Sequence, residues 1–506
     1  MVKIDKGKKV DVLIIAEGTY PYVKGGVSSW IHSLITGLSD FNFGVAFLGS
    51  CEEDYEDIKY KLPKNLTFLS VNFIFSDKEK PEPKIIKAGK EKFEKIKEIH
   101  KWFRGQQGKL FLEILQKRAF YLTEIKEEEF LYSKEAWEFI AESYFEYAVD
   151  SPFIDYFWTV RNIHDPIWRV SKILEELPPS TIVHSPSTGY AGFLSALIKE
   201  EQKIPFILTE HGIYTRERKI DIVNADWIKD RSFFFQKEID DIEYLKKMWI
   251  NFFTGIGKFS YDASDIIISL FEEARKLQIK LGAQPEKTKV IPNGVKVEAF
   301  LEARKKRPQK IPKVIGLIGR VVPIKDIKTF IKAMRIVVNK LPEIEGWIVG
   351  PTEEDPVYFE ECKRLVNVLE LQNNVKFLGF QNLKEIFPKI GLTTLTSISE
   401  GMPLVILESF AAGVPAVTTD VGSCRQLIYG GLNEKDIKIG KAGEICQVAN
   451  PSQLAENYLK LLTNEAEWKK YQKAGIERVE KFYTYQQFLE NYKKIYRSFA
   501  NGRNLI

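Results

Sequence analysis

With 74 Lys and Arg against 69 Asp and Glu, the 506-residue chain carries a formal charge of +5, too small a surplus on this length to argue for nucleic-acid binding. Its content of 44% hydrophobic and 28% charged residues, with 34 Phe and 21 Tyr, excludes wholesale disorder. One hydrophobic core rarely supports such a length, so two domains of roughly 200 to 250 residues are expected.

The first strand signal is "VDVLIIAE", which runs into "AEGTYPYVKGGVSSW", residues 16 to 30. The basic residues ahead of it do not make a leader, because the apolar run is short and is broken by Asp11 and Glu17. The loop holds one carboxylate, Glu17, and two adjacent glycines, Gly25 and Gly26, before a helix predicted from Val27. Such a turn lets backbone approach a sugar or a phosphate. The spacing Gly18, Gly25, Gly26 is not GxGxxG, and GxxxxGK[ST] occurs nowhere in the sequence. Dinucleotide oxidoreductase and P-loop readings therefore lose support.

From about residue 75 to residue 175 the strand signal gives way to charged, aromatic-rich helical text. In "KIIKAGKEKFEKIKEIHKWF", Ile85, Ile86, Phe93, Ile96 and Trp102 suggest one amphipathic face. Two readings stay open: an insertion packed on the first domain, or a face that binds membrane or a partner. Strands resume with "TIVHS", "PFILTEHG" and "DIIISL". His211 stands at a strand's carboxyl edge, followed by "IYTRERK" with Arg216; it is either a structural histidine or a ligand for hydroxyls.

"VIPNGVKVEAFLEARKKRPQKIPK", residues 290 to 313, joins an Asn-Gly turn to a basic, proline-containing stretch and marks the domain junction. Beyond it come "KVIGLIGR", "GWIVG", "VKFLGF", "LTTLTSI" and "PAVTTD". Continuous apolar runs separated by helix-length segments mark parallel sheets covered on both faces, so the chain reads as two doubly wound α/β halves.

In "IGLIGRVVPIKD", Arg320 lies just past a strand end and Lys325 five residues on. Two cations there suit a diphosphate, Arg by its planar fork and Lys as a point charge, with ordinary surface charge as the plain alternative. In "SISEGMPLVILESFAAGVPAV", Pro403 in the first turn, Gly413 at C′ and Pro415 at the exit bracket a helix of roughly ten residues. Its N-terminal stretch, Gly401, Met402, Pro403 and Leu404, offers N–H groups to a phosphate. Glu400 precedes this helix and Glu408 lies inside it. Beside an anion site two carboxylates make sense if they grip neutral hydroxyls of a diol such as ribose or a hexose; capping and solvated glutamates are the alternative.

Cys51, Cys362, Cys424 and Cys446 form no CxxC pair, and neither DxD nor HExxH occurs, so neither a disulfide framework nor a metal site is expected. No run approaches the roughly 18 apolar residues of a spanning helix. A cytoplasmic chain is expected, with docking at the inner face of the membrane left open.

Taken together, "GTYPYVKGGVSSW", "TEHG", "IPNGV", "GRVVPIKD" and "SEGMPLVILESFAAGVPAVTTDVGS" resemble retaining glycosyltransferases of family four. The resemblance implies the GT-B fold: two Rossmann-like doubly wound domains facing a cleft, with a helical insertion in the first. An acceptor-side domain would span 1–295, with the insertion at about 75–175, and a nucleotide-sugar-binding domain 296–484. The tail, 485–506, would carry a helix crossing back to the first domain. Arg320 and Lys325 would neutralise the donor diphosphate, Glu400 face the donor sugar, Glu408 the ribose and His211 the sugar's hydroxymethyl end. Gly25 and Gly26 would approach diphosphate or acceptor. The implied activity is retaining, metal-independent transfer of a hexosyl unit from a UDP-sugar to a growing exopolysaccharide, without a cofactor. Its partners would be the UDP-sugar, the polysaccharide acceptor and a membrane-embedded export complex, with no nucleic acid. A UDP-sugar epimerase on the same architecture and a non-catalytic polysaccharide- or partner-binding subunit are the alternative readings.

Overall fold

Val12, Leu13, Ile14, Ile15 and Ala16 are fully buried, as an apolar run must be when both faces of its sheet are covered. They belong to a computed structural model that describes residues 3–75, 82–103, 124–223, 225 and 244–502. The chain divides into two units: Met1–Ile268 with Leu277–Lys289 and Lys493–Ile506, and Ser269–Lys276 with Val290–Tyr492.

The first sheet contains β1 (Ile4–Asp5), β2 (Val10–Glu17), β3 (Phe43–Gly49), β4 (Leu66–Phe73), β5 (Ser180–Ser185), β6 (Phe206–Glu210), β7 (Ile266–Ser269) and β8 (Thr288–Val290), in the order β1-β4-β3-β2-β5-β6-β7-β8. β1 runs antiparallel to β4, whereas β2 is parallel to both β3 and β5. The strand order reverses between β2 and β5, the topological position where open α/β sheets bind ligands. β3 and β4 were absent from the strand signals. In β4 the apolar run is interrupted by Thr67 and Asn72, which the fold accommodates by hydrogen bonds to the carbonyls of Phe43 and Phe47, both 3.2 Å.

The second sheet is parallel throughout. β9 (Val314–Ile318), β10 (Glu345–Val349), β11 (Val375–Gly379), β12 (Leu392–Leu395), β13 (Ala416–Thr419) and β14 (Gly443–Cys446) lie in the order β11-β10-β9-β12-β13-β14. Its order reverses between β9 and β12. β14 also escapes the sequence, being four residues long and carrying Glu444, whose carboxylate accepts bonds from Tyr471 and Lys460, each 2.7 Å.

The helix expected from Val27 is Gly26–Gly37. The helix after Glu400 spans Leu404–Ala411, with Pro403 as its N-cap rather than in its first turn. Its end is a Schellman motif: the Gly413 N–H reaches the Phe410 carbonyl at 3.0 Å and the Val414 N–H that of Ser409 at 2.9 Å. Gly413 has a φ of +74°, the left-handed conformation that selects glycine there.

Between β4 and β5 come helices Lys90–Phe103, Glu127–Tyr132, Lys134–Tyr147 and Phe153–Glu176. Phe93, Ile96 and Ile99 join the core of the first unit with Phe139 and Ile163, each such burial contributing about 1.5–3 kcal/mol. Ile85 departs from the expected face: it precedes the helix and is fully exposed. The Trp102 side chain lies outside the described residues. Near the C-terminus, helix Tyr485–Ala500 places the Tyr496 hydroxyl 2.7 Å from His184 Nδ1 and Lys493 against Asp40 at 2.5 Å. No described helix is long and apolar enough to cross a membrane.

Candidate functional site

In the second unit, the loops leaving β9 and β12 meet at the reversal of strand order. Lys325 closes the turn Pro323–Lys325. Its Nζ donates to Glu400 Oε1 at 2.5 Å, and the Ser397 hydroxyl donates to the same oxygen at 2.5 Å. The ammonium and the carboxylate are only 19% and 11% exposed. Glu400 therefore does not stand free: it neutralises Lys325. Arg320, by contrast, is exposed and pairs with Glu354 at 2.5 Å.

Backbone and hydroxyl groups fix this corner. The Ile398 N–H bonds the Ile324 carbonyl at 2.9 Å, the Thr396 hydroxyl donates to the Lys325 carbonyl at 2.8 Å, and the Thr419 hydroxyl to the Ser397 carbonyl at 2.7 Å. Gly422 has a φ of +54°, and a Cβ there would lie 2.2 Å from the Glu400 carbonyl oxygen and 2.4 Å from that of Gly401. Only glycine fits where the loop after β13 presses on the Glu400–Gly401 backbone. Thr396, Ser397, Thr419 and Gly422 are the supporting residues that sequence reasoning missed; their signal was the small hydroxyl and glycine residues at the ends of "LTTLTS" and "VTTDVGS".

Along the same helix start, Met402 is buried and its sulfur accepts the Asn293 N–H at 3.2 Å, while Pro403 is buried and Leu404 opens the helix. The Asn293 Oδ1 is buried with no hydrogen-bond partner among the described residues. One turn on, burial raises the Glu408 carboxyl to about 7, since among the described residues no cation offsets the cost of burying its charged form.

In the first unit, Glu17 ends β2 and turns inward. Its Oε2 accepts the Ala191 N–H at 2.9 Å and its Oε1 the Tyr214 hydroxyl at 3.0 Å, so it serves as a cap for helix Tyr190–Gln202, whose first N–H groups have no partner within the helix. Burial raises this carboxyl, with Arg218 acting in the opposite direction. Arg216 is exposed on the same helix, Tyr214–Val223. The cation facing Glu17 is thus Arg218, four residues after Tyr214 and on its side of the helix, with its guanidinium 5.1 Å from the Tyr214 ring centre.

A Cβ added at Gly25 or Gly26 would meet nothing within 4 Å, and Gly25 has an extended φ of −179°. Neighbouring atoms do not demand glycine there; the space over the helix start is open. The His211 ring stands edge-on to Trp30 at 4.6 Å between centres. Burial lowers it to about 3, which keeps it neutral, and its Nε2 is buried with no hydrogen-bond partner among the described residues. Beside it Glu210, also missed from the sequence, is buried and accepts from Tyr261, Gln278, Thr188 and the Tyr214 N–H at 2.7 to 3.2 Å. Four donors hold the end of β6 in place. Among the described residues, no group of three or more His, Cys, Asp and Glu could hold a metal ion.

Residues 10–286 match the family described as a domain of unknown function, DUF3492, and residues 300–478 match glycosyl transferases group 1. The poly(glycerol-phosphate) alpha-glucosyltransferase of Bacillus subtilis (strain 168) is 29% identical over 178 residues, covering 35% of this chain and 24% of its own length. The UDP-Gal:alpha-D-GlcNAc-diphosphoundecaprenol alpha-1,3-galactosyltransferase of Escherichia coli is 30% identical over 177 residues, 32% of this chain and 44% of its own. The matched region thus spans less than half the length of either relative. Among solved structures, Anabaena HepE in complex with UDP superposes with a TM-score of 0.57 at 13% identity, covering 97% of this chain and 100% of that one. Sucrose-phosphate synthase from Thermosynechococcus elongatus does so with a TM-score of 0.59 at 14% identity, covering 98% and 100%. At such identities the likeness carries the fold, and the fold is GT-B.

Proposed function

From a chain that belongs to the DUF3492 family and whose second half is a glycosyl transferases group 1 domain, we propose a retaining, metal-independent glycosyltransferase that moves a hexosyl unit from a UDP-sugar to a growing exopolysaccharide. The observation that carries this reading is the Lys325–Glu400–Ser397 cluster at the strand-order reversal of the second sheet, beside a helix start. A donor diphosphate would draw Lys325 from Glu400, and the released carboxylate could then accept hydroxyls of the donor sugar. Arg320 adds a second cation, and ionised Glu408 accepts the ribose hydroxyls. A neutral His211 with an unmet Nε2 suits a sugar hydroxyl.

The anomeric carbon–oxygen bond breaks with its electron pair on the diphosphate. The acceptor oxygen bonds to the same face, and its proton passes to the leaving phosphate oxygen. Positioning and electrostatic stabilisation of the departing charge supply the catalysis. The Escherichia coli relative's name specifies UDP-Gal and the Anabaena neighbour holds UDP, which supports uridine nucleotides here. The wording of the first loop and of "TEHGIYTRERKI" resembles PelF, the cytosolic transferase of Pel exopolysaccharide synthesis. That supports a polysaccharide acceptor and docking on an export complex at the inner face of the membrane.

The test is UDP release by the purified chain across a panel of nucleotide sugars, with and without acceptor and EDTA. Acceptor-dependent release from one UDP-sugar, unchanged by EDTA, is expected, because the diphosphate charge is met by side-chain cations. A strict need for added Mn²⁺ or Mg²⁺ would contradict metal independence. UDP set free without an acceptor, together with an epimerised sugar, would favour the epimerase; no turnover with any UDP-sugar would favour a non-catalytic subunit.

A further inference from the structure

The insertion buries part of its apolar surface and leaves part of it in solvent. Trp137 and Phe145 on helix Lys134–Tyr147, Val149 in the turn after it, and Ile154 and Trp158 on helix Phe153–Glu176 are 50% to 74% exposed. The rings are continuous with those beneath them. Trp137 meets Phe153 and Phe157 at 5.6 and 5.8 Å between centres, and Tyr144 meets Phe145 and Phe153 at 5.4 and 5.1 Å. Single apolar residues scattered over a surface need no explanation, whereas a contiguous exposed patch marks an interaction site.

Charge is divided along this face. The two helices run antiparallel, since Phe153 lies against Tyr144 while Arg161, further along, donates to the Leu131 carbonyl near the start of the first helix. At that end a cavity of about 830 Å³ is lined by Lys84, Lys87, Lys134 and Arg161, with Glu135 as the one carboxylate among its described lining residues. Lys84 and Lys134 have carboxylate neighbours in Glu128 and Glu138, at 3.1 and 3.2 Å. Half-buried Arg161 has none among the described residues; its guanidinium lies 4.5 Å from the centre of the Phe157 ring. At the other end the sign changes. Glu146, Asp150 and Asp155 stand beside Phe145, Val149 and Ile154, and no Lys or Arg occurs between positions 135 and 160.

This pattern states what covers the face. A surface with an aromatic middle, a cationic hollow at one end and carboxylates at the other is complementary to itself when turned about a two-fold axis. An anionic lipid surface is a poor match, because Glu146, Asp150 and Asp155 would meet like charge beside the apolar side chains that would have to enter it. Arg161 adds a second argument, since a cation withdrawn from water is stable when a carboxylate meets it.

We propose that this face of the insertion joins two copies of the chain in an isologous dimer, the acidic end of each carrying Phe145 to the cationic cavity of the other. Trp137 and Trp158 form the middle, and tryptophan is over-represented among the residues that anchor interfaces. The inference goes beyond the transferase reading and holds with or without it.

The experiment is sedimentation velocity with light scattering on the full chain at about 1 to 100 μM, a range that reaches the weak end of interfaces of standard size. The expected particle has twice the mass of the chain and dissociates more readily as salt rises, because exposed charges are screened. Phe145→Glu and Trp158→Glu, both at exposed positions, should each weaken association about a hundredfold or more. Charge reversal gives the sharper reading. A chain with Glu146→Lys, Asp150→Lys and Asp155→Lys has two cationic ends, and one with Lys84→Glu, Lys87→Glu and Lys134→Glu has two acidic ends. Each should be monomeric alone, and an equimolar mixture should regain the dimer, a recovery that misfolding cannot produce. A wild-type chain that stays monomeric throughout the range, a dimer indifferent to Phe145→Glu and Trp158→Glu, or reversed chains that fold yet do not pair on mixing would overturn the proposal. So would a monomeric chain that pellets with vesicles of phosphatidylcholine and phosphatidylglycerol, which would assign the face to membrane.

Discussion

Lys325→Ala should lower turnover about 10²- to 10³-fold, the usual cost of losing one preorganised group aimed at developing charge. In this site the loss has two parts. The cation that would meet the departing diphosphate disappears, and Glu400, which Lys325 contacts at 2.5 Å, loses its ionic partner while keeping only the Ser397 hydroxyl. A bare carboxylate would then face the diphosphate and repel it. Coupling therefore distinguishes this arrangement from simple charge loss: adding Glu400→Gln to Lys325→Ala should cost far less than the two single effects combined, because the uncovered charge is already removed. Arg320→Ala should also cut turnover strongly, although Arg320 is exposed and already paired with Glu354, where solvent weakens each interaction. Steady-state kcat/KM for UDP release, with UDP affinity measured separately, reads the wild type, the three single variants and the double variant. Near-wild-type rates in both the Lys325 and Arg320 variants would remove the diphosphate from this corner.

What could be read from the sequence follows from how local each cause is. β2 was legible because burial on both faces requires an unbroken apolar run, and Val12–Ala16 is one. Helix Leu404–Ala411 was legible because its start and stop lie in a few adjacent residues, Pro403 and Gly413. β4 was not, since Thr67 and Asn72 look like loop residues until the neighbouring strand supplies their acceptors. The sites divide in the same way. A strand end marked Arg320 and Lys325 as candidates and a helix start marked Glu400, but the ion pair joining Lys325 to Glu400 spans 75 residues and becomes visible only when β9 and β12 lie side by side. Arg216 and Arg218 are equivalent as text. The contact of Arg218 with Tyr214, and through it with Glu17, separates them.

Glu408 gives the second large effect, with opposite signs in stability and in binding. Its carboxyl is raised by burial from 4.5 to about 7, a gap that corresponds to about 3 kcal/mol. Between those two values the folded chain binds more protons than the unfolded chain, so stability falls as pH rises through this window and stays low above it. Below pH 4.5 both states hold the proton and the effect vanishes. Glu408→Gln should therefore raise the melting temperature at pH 8 by several degrees and leave it nearly unchanged at pH 4. If the residue serves to accept the ribose hydroxyls of UDP, the ionised form is the binding form. UDP affinity of the wild type should then weaken as pH drops below 7, and Glu408→Gln should bind UDP about tenfold or more weakly at pH 8, the scale of a hydrogen bond to a charged group. Calorimetric unfolding and UDP titration at pH 4, 6 and 8 measure both sides on the same two proteins. A variant that is more stable at pH 8 yet binds UDP as the wild type does would leave Glu408 a strained core residue with no part in the nucleotide site.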